Sequence, residues 1–124
     1  MWLRGIRGAI TVENNNAVQI LDATTQLLHS IVEENNFNPE DICSVFVTVT
    51  QDLTATFPAR AIRQMNGWEL VPLMCSVEIP VENSLPLCIR LMVQVNTTKK
   101  QNEIVHVYLN EAKILRPDLP ELSK

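Results

Sequence analysis

The stretch 87–95 alternates between two chemically distinct faces, and it constrains the fold more than any other segment of the chain. Its odd-numbered residues are all apolar, whereas the even-numbered ones are Cys88, Arg90, Met92 and Gln94. A period of two predicts a β-strand with one face in a core. Arg90 lies in the middle of this strand. Because a guanidinium is always charged, it must meet an anion, either a carboxylate of the protein or a ligand.

Length and charge narrow the function classes. With 124 residues and 14.0 kDa the chain has room for one domain, and we expect a single domain over 1–124. The net charge is −4 and the pI about 5.1, which argues against general nucleic-acid binding, since that requires a basic surface. Six of the ten cations are arginines, most of them inside predicted strands or helices. This placement indicates either recognition of a compact anion or internal ion pairs.

The cysteines and histidines indicate no metal or disulfide chemistry. The three cysteines form no CxxC motif, and the two histidines lack a ligand-like spacing. We therefore predict a reduced, cytoplasmic protein without disulfides or a zinc site. The amino terminus lacks the apolar core of a signal peptide, and no apolar run approaches the ~18 residues of a membrane helix.

Hydrophobic periodicity predicts an α+β fold, a mixed β-sheet with helices on one face. We expect strands over 2–12, 42–50, 68–73, 74–79, 87–95 and 104–115, and helices over about 17–35, 39–41 and 58–66. One face of the sheet then remains uncovered, and a domain of this size often buries such a face by oligomerising. The segment 117–124 is expected to be an extended tail.

The last two strands are predicted to form a long hairpin centred at Lys99, which would place Tyr108 opposite Arg90. The connecting turn has no Asn-Gly pair to set the register. On the first strand Arg7 shares a face with Gly5 and Ala9, and these small neighbours leave room for a ligand or for a tight strand crossing.

Several blocks of the chain together resemble the monofunctional, non-helical (AroH-class) chorismate mutases. They occur in order between Leu3 and Leu119: Gly-Ile-Arg-Gly-Ala at 5–9, Phe-Pro-Ala-Arg-Ala-Ile-Arg at 57–63, Gly-Trp at 67–68, Cys-Ile-Arg at 88–90, His-Val-Tyr-Leu at 106–109 and Leu-Arg-Pro-Asp-Leu at 115–119. The resemblance implies a homotrimer with a pseudo-α/β-barrel core and active sites between subunits. It also implies rearrangement of chorismate to prephenate without a cofactor or a covalent intermediate.

The resemblance implies a catalytic set made of Arg90, Glu78, Arg7, Tyr108 and Cys75. Arg90 would face the ether oxygen of the substrate, on which negative charge grows in the transition state. Arg7 and Tyr108 would hold the side-chain carboxylate, and Glu78 with Cys75 would bind the ring hydroxyl. Six further residues would bind the substrate. A neighbouring subunit would supply the opposite wall of the site with Phe57, Ala59, Arg60 and Arg63. Leu115 and Arg116 would close the mouth of the site.

Other interpretations of the same residues remain open. In these interpretations Glu78 and Arg90 form an ion pair with a structural role only, and Cys75 is a small buried apolar residue. Tyr108 is a half-buried aromatic residue of a strand, and Arg63 and Arg116 are surface charges. Two functional alternatives also remain: an imine deaminase of the Rid type on a similar trimeric fold, and a non-catalytic sensor of an aromatic-pathway acid.

The chain departs from the family pattern at two positions. Arg60 stands where lysine is expected, so a planar guanidinium with several fixed donors replaces a compact ammonium group. Met74 stands where a smaller polar residue is usual, which would alter the pocket lining.

Overall fold

The computed structural model describes residues 1–115, so the tail expected at 117–124 and Arg116 lie outside the described residues. Five strands form one sheet: β1 Trp2–Thr11, β2 Ile42–Val49, β3 Leu73–Val77, β4 Cys88–Thr97 and β5 Val107–Leu109. The strands are connected by two α-helices, α1 Ala17–Asn35 and α2 Ala59–Arg63, and by 3₁₀ turns at Pro39–Asp41 and Gln101–Glu103. A third 3₁₀ helix, Asn110–Leu115, follows β5.

The sheet is mixed and has the order β3-β2-β4-β1-β5. β4 lies at its centre and is antiparallel to both β1 and β2. The outer strands β5 and β3 run parallel to their neighbours β1 and β2. This arrangement confirms the predicted α+β class.

Helix α1 has clear signals at both ends. The side chain of Asn16 accepts a hydrogen bond from the backbone N–H of Gln19 at 3.1 Å, and Asn36 ends the helix in the left-handed region with φ 51°. Gly8 lets α1 approach the sheet closely, because a Cβ atom there would lie 2.6 Å from Cδ1 of Ile31. Within residues 1–115, no helix is long and apolar enough to cross a membrane.

The predicted alternation of β4 is confirmed. Its odd-numbered side chains from 89 to 95 are buried in the main core, which also takes the apolar stripe of α1, including Ile20, Leu27, Leu28 and Ile31. α2 adds Ile62 to the same core, so both helices cover one face of the sheet. The opposite face, here called the open face, carries Arg90 and the exposed side chains of Leu3, Phe46 and Met74.

The predicted hairpin of the last two strands is wrong. β5 pairs with one edge of β1 and β4 pairs with the other edge, so β1 lies between the two strands. Tyr108 therefore lies opposite Ala9, and so does Arg90 from the other side. The connection between β4 and β5 is too long for a tight turn, so it does not fix a pairing register between these two strands. Pairing of both strands with β1 instead buries Val107 in the core.

Two strand assignments are also corrected. The segment 68–73 forms a turn in which Val71 N–H donates to Trp68 C=O at 3.1 Å, and a single strand begins only at Leu73, after Pro72. The strand expected over 104–115 is limited to Val107–Leu109, because Asn110 adopts φ 57° and starts a 3₁₀ helix.

Candidate active site

Three of the predicted catalytic residues meet on the open face. Arg90 on β4 and Tyr108 on β5 both lie opposite Ala9, and Arg7 lies two residues earlier on β1. Together they line a cleft of about 180 Å³. Ala9 is 1% exposed and carries only a methyl group, so it leaves space between the two longer side chains.

Glu78 approaches Arg90 from the end of β3. Its Oε2 lies 3.2 Å from Nε of Arg90, at ion-pair distance but without hydrogen-bond alignment, and the hydroxyl of Thr48 donates to the same oxygen at 2.6 Å. The structure thus contains the Glu78–Arg90 ion pair that the purely structural interpretation predicts. The contact uses Nε, the inner nitrogen of the guanidinium, and the Arg90 side chain stays 38% exposed and lines the cleft.

Tyr108 is fully buried instead of half-buried, at 1% exposure. Its hydroxyl has no hydrogen-bond partner among residues 1–115. A buried hydroxyl without a partner is costly, and such groups in native proteins usually bond to water or to a ligand. Tyr108 lines the same cleft as Arg7 and Arg90, so its hydroxyl is a candidate third donor for an anionic group.

Cys88 lies under the cleft as an uncharged thiol. Burial raises the pKa of the Cys88 thiol to about 11, the nearby Glu78 carboxylate adds to this rise, and the Arg90 guanidinium partly opposes it. The Cys88 side chain packs with Ala9, Tyr108 and Ala112 in a small second core. At neutral pH it therefore adds no charge next to Arg90.

A second, larger cleft of about 720 Å³ lies on the helix side of the sheet. Phe57, Arg60 and Cys75 line it. Cys75 lies opposite Val47, whose side chain is in the core, and this register directs Cys75 away from the open face. Within one chain, Cys75 and Glu78 therefore do not share a cleft.

The remaining predicted residues do not appear in the lining of either cleft, apart from Arg60. Ala59 is buried at the start of α2, and Arg63 is exposed at its end. Leu115 is partly buried against the small core that contains Tyr108. In the second cleft, Arg60 folds back so that Nη1 donates to the Thr56 hydroxyl at 2.8 Å.

Sequence reasoning missed two polar residues. Thr48 lines the cleft of Arg7 and Arg90, and the alternation of β2 alone, with Val45 and Val47 on the core face, could have placed it on the open face. Asn15 holds the loop before α2, because its Oδ1 accepts hydrogen bonds from the N–H groups of Thr54 and Ala55, both at 3.0 Å. That contact joins residues 39 and 40 positions apart, and no local pattern signals it.

The described part of the chain contains no group of three histidine, cysteine or acidic side chains that could hold a metal ion. What the open-face cleft offers is a set of donors: two guanidiniums and a phenol beside one carboxylate. Such a set can bind an anion and stabilise charge that develops on an oxygen atom.

Comparison with known proteins defines the class. The model of the family "Chorismate mutase type I" matches residues 3–119. Chorismate mutase AroH of Bacillus subtilis (strain 168) is 48% identical over 119 residues, which are 96% of this chain and 94% of that protein. Chorismate mutase AroH of Thermus thermophilus is 48% identical over 118 residues, which are 94% of this chain and 96% of that protein.

A solved structure shows the same fold. A chorismate mutase from Clostridium thermocellum superposes with a TM-score of 0.87 at 49% identity, covering 92% of this chain and 99% of that one. The fold and the sequence thus define an enzyme of the AroH type. The chain belongs to the type I chorismate mutase family. The prediction of a chorismate mutase is confirmed, and the imine deaminase and the sensor are not favoured.

Proposed function

We propose that this enzyme rearranges chorismate to prephenate by holding the substrate in a reactive conformation and stabilising charge on its ether oxygen. The observation that carries this mechanism is the position of Arg90, which contacts Glu78 through Nε and lines a cleft together with Arg7 and Tyr108. Breaking the ether bond places negative charge on oxygen. A preorganised donor binds that oxygen more strongly in the transition state than in the ground state, and this difference lowers the barrier.

The other side chains orient the substrate. Arg7, whose guanidinium has no ion pair or hydrogen bond to the rest of residues 1–115, and the unpartnered Tyr108 hydroxyl hold the side-chain carboxylate. Glu78 accepts a hydrogen bond from the ring hydroxyl and complements positive charge that develops on the ring. Fixing both ends of the substrate favours a compact conformer in which the reacting atoms are close.

The functional unit of this proposal is a homotrimer. The cleft of about 180 Å³ in one chain is smaller than the ~300–1,000 Å³ of typical ligand sites. The open face exposes 43% of Phe46 and 62% of Met74, and exposed apolar surface of this kind marks an interface. Closing this face against neighbouring copies would bury it and enlarge each cleft.

The neighbouring subunit supplies the second wall from its larger cleft. Phe57 is 67% exposed there, and Arg60 and Cys75 line the same space. In this arrangement Arg60 and Arg63 add positive charge for the second carboxylate, Ala59 supports the helix that carries them, and Leu115 with Arg116 closes the mouth. Cys75 then reaches the ring hydroxyl from the opposite side to Glu78.

The proposed enzyme works in the cytoplasm and needs no cofactor. Its function is tested by following the loss of chorismate absorbance with purified protein, with and without EDTA, and identifying prephenate as the product. Turnover that EDTA does not change supports the mechanism. Binding of chorismate without turnover would contradict it and would support a sensor, and no binding at all would contradict the substrate assignment.

A further inference from the structure

We propose that Thr48 is a positioning residue that holds Glu78 with one carboxylate oxygen turned to the substrate. This inference rests on the proposed function, in which Glu78 accepts a hydrogen bond from the ring hydroxyl. It adds a residue outside the set that the sequence indicated, and it assigns different tasks to the two oxygens of Glu78.

The two oxygens of Glu78 have different surroundings. Oε2 lies 2.6 Å from the Thr48 hydroxyl, which donates to it, and 3.2 Å from Nε of Arg90. Oε1 accepts no hydrogen bond from any residue between 1 and 115. The Glu78 side chain is 17% exposed, so it is mostly withdrawn from bulk water but not fully enclosed. Oε1 is therefore the oxygen available to a ligand.

The hydroxyl of Thr48 also limits how Glu78 can bind Arg90. A carboxylate and a guanidinium readily form a bidentate pair, in which both oxygens and two nitrogens are used. Such a pair would occupy Oε1 and draw one terminal nitrogen of Arg90 away from the ether oxygen. Because Thr48 holds Oε2 at the inner nitrogen, the ion pair keeps a single contact, and both Oε1 and the terminal nitrogens stay available.

The position of Thr48 follows from the sheet. Thr48 lies opposite Arg90 on β4 and opposite Ser76 on β3, so its side chain shares the open face with Arg90. Glu78 follows two residues after Ser76, and its own N–H donates to Val49 C=O at 2.9 Å. The backbone of Glu78 and the hydroxyl that orients its side chain are thus both held by β2. The branched side chain of threonine has few χ1 rotamers, which suits this task.

The test compares Thr48→Val, which keeps the shape and removes the hydroxyl, with Thr48→Ser, which keeps the hydroxyl. A hydrogen bond to a charged group contributes enough that its loss corresponds to about 10- to 100-fold in kcat/KM. We expect a loss of this size for Thr48→Val, mostly in kcat, and a change of no more than about threefold for Thr48→Ser. Ser44→Ala removes a hydroxyl from the same strand and face, at its bond to Gln94, and should leave the kinetics unchanged.

A double-mutant cycle separates positioning from a structural effect. In a Glu78→Ala background, Thr48→Val should cause no further loss, because Thr48 acts through Glu78. An equal loss in both backgrounds, or wild-type kinetics in Thr48→Val, would overturn the inference. If the valine variant is not recovered folded, Thr48→Ala removes the same hydroxyl without adding bulk, and the same outcomes decide.

The proposed function and this inference fail in different ways. Absence of turnover in the wild-type protein, or full activity of Glu78→Ala, refutes the proposed mechanism. Turnover by the wild type with loss in Glu78→Ala supports that mechanism, and the Thr48 variants then judge the inference alone.

Discussion

Arg90 and Tyr108 lie on either side of Ala9, each directly opposite it on a strand that flanks β1. The two side chains, separated by a buried methyl group, line one cleft although they are 18 positions apart in the chain. Strand β1, which also carries Arg7, is therefore the element that brings these three side chains to one cleft.

Replacing Arg90 by lysine tests the charge-stabilising donor. We expect Arg90→Lys to keep the fold and ligand binding but to lose at least about 10²–10³ in kcat, because one ammonium group cannot contact Glu78 and the ether oxygen together. Arg4→Lys is the control, since Arg4 stacks on Trp2 and its Nε donates to Lys99 C=O, away from the cleft. Steady-state kinetics and circular dichroism measure both, and unchanged turnover in Arg90→Lys would refute the assignment.

Removing the Tyr108 hydroxyl should weaken substrate binding without lowering the free energy of unfolding. Because this buried group has no partner within the described chain, we expect Tyr108→Phe to leave the free energy of unfolding unchanged or to raise it by up to about 1 kcal/mol. The same change should raise KM for chorismate, since a carboxylate donor is lost. Urea unfolding and kinetics test this pair of outcomes; destabilisation by more than about 1 kcal/mol would show that the hydroxyl bonds within the protein.

A charge on the open face should break the proposed trimer. Phe46 is 43% exposed there, and Phe46→Glu would place a carboxylate in the proposed subunit interface. We expect this variant to sediment as a monomer at micromolar concentration and to lose activity. Leu70→Glu is the matched control, because Leu70 is 95% exposed in a turn and should tolerate the charge. A wild-type protein that is monomeric and active would contradict a shared site.

The Cys88 thiol should make stability fall at alkaline pH. Its pKa is about 11 in the folded protein and 9.0 as an ordinary thiol, so between these values the unfolded chain has lost a proton that the folded chain keeps. Stability from this group is thus fully present below pH 9 and decreases as the pH rises through about 11. Cys88→Ser should show a smaller decrease in urea unfolding between pH 8 and 10 than the wild type, whereas Cys43→Ser, at an exposed thiol, should not.

The three consecutive asparagines before α1 should respond differently to alanine. Asn16→Ala removes the N-cap and should destabilise the protein by about 1 kcal/mol without a change in kinetics. Asn15→Ala releases the loop at Thr54, whose hydroxyl also accepts from Asn15 Nδ2 at 2.9 Å, and should raise KM because Phe57 belongs to that loop. Asn14→Ala is the control, since its side chain makes no hydrogen bond within residues 1–115. Equal KM values for all three variants would contradict a role for the loop in the site.

Local patterns predicted much of the molecule correctly. The alternation around Arg90 identified β4 and its core face, and the apolar stripe from Ala17 identified α1 with its end near Asn35. Both depend on the spacing of neighbouring side chains, which is written in the chain itself. The blocks that carry Arg7, Arg90 and Tyr108 are each contiguous, so the resemblance indicated these residues as candidates, and they line one cleft on the open face.

Strand pairing, in contrast, depends on contacts between distant segments, and only the tertiary structure decided it. Because Val107 is buried in the core, β5 pairs with β1 and not with β4, and Tyr108 lies opposite Ala9. The same sheet turned Cys75 to the helix side and placed the Thr48 hydroxyl on Glu78, 30 positions along the chain. The periodicity and contiguous blocks of the sequence thus indicated the candidate site residues, whereas only the tertiary structure decided which of them meet, because side-chain periodicity is local whereas strand order follows the burial of the whole core.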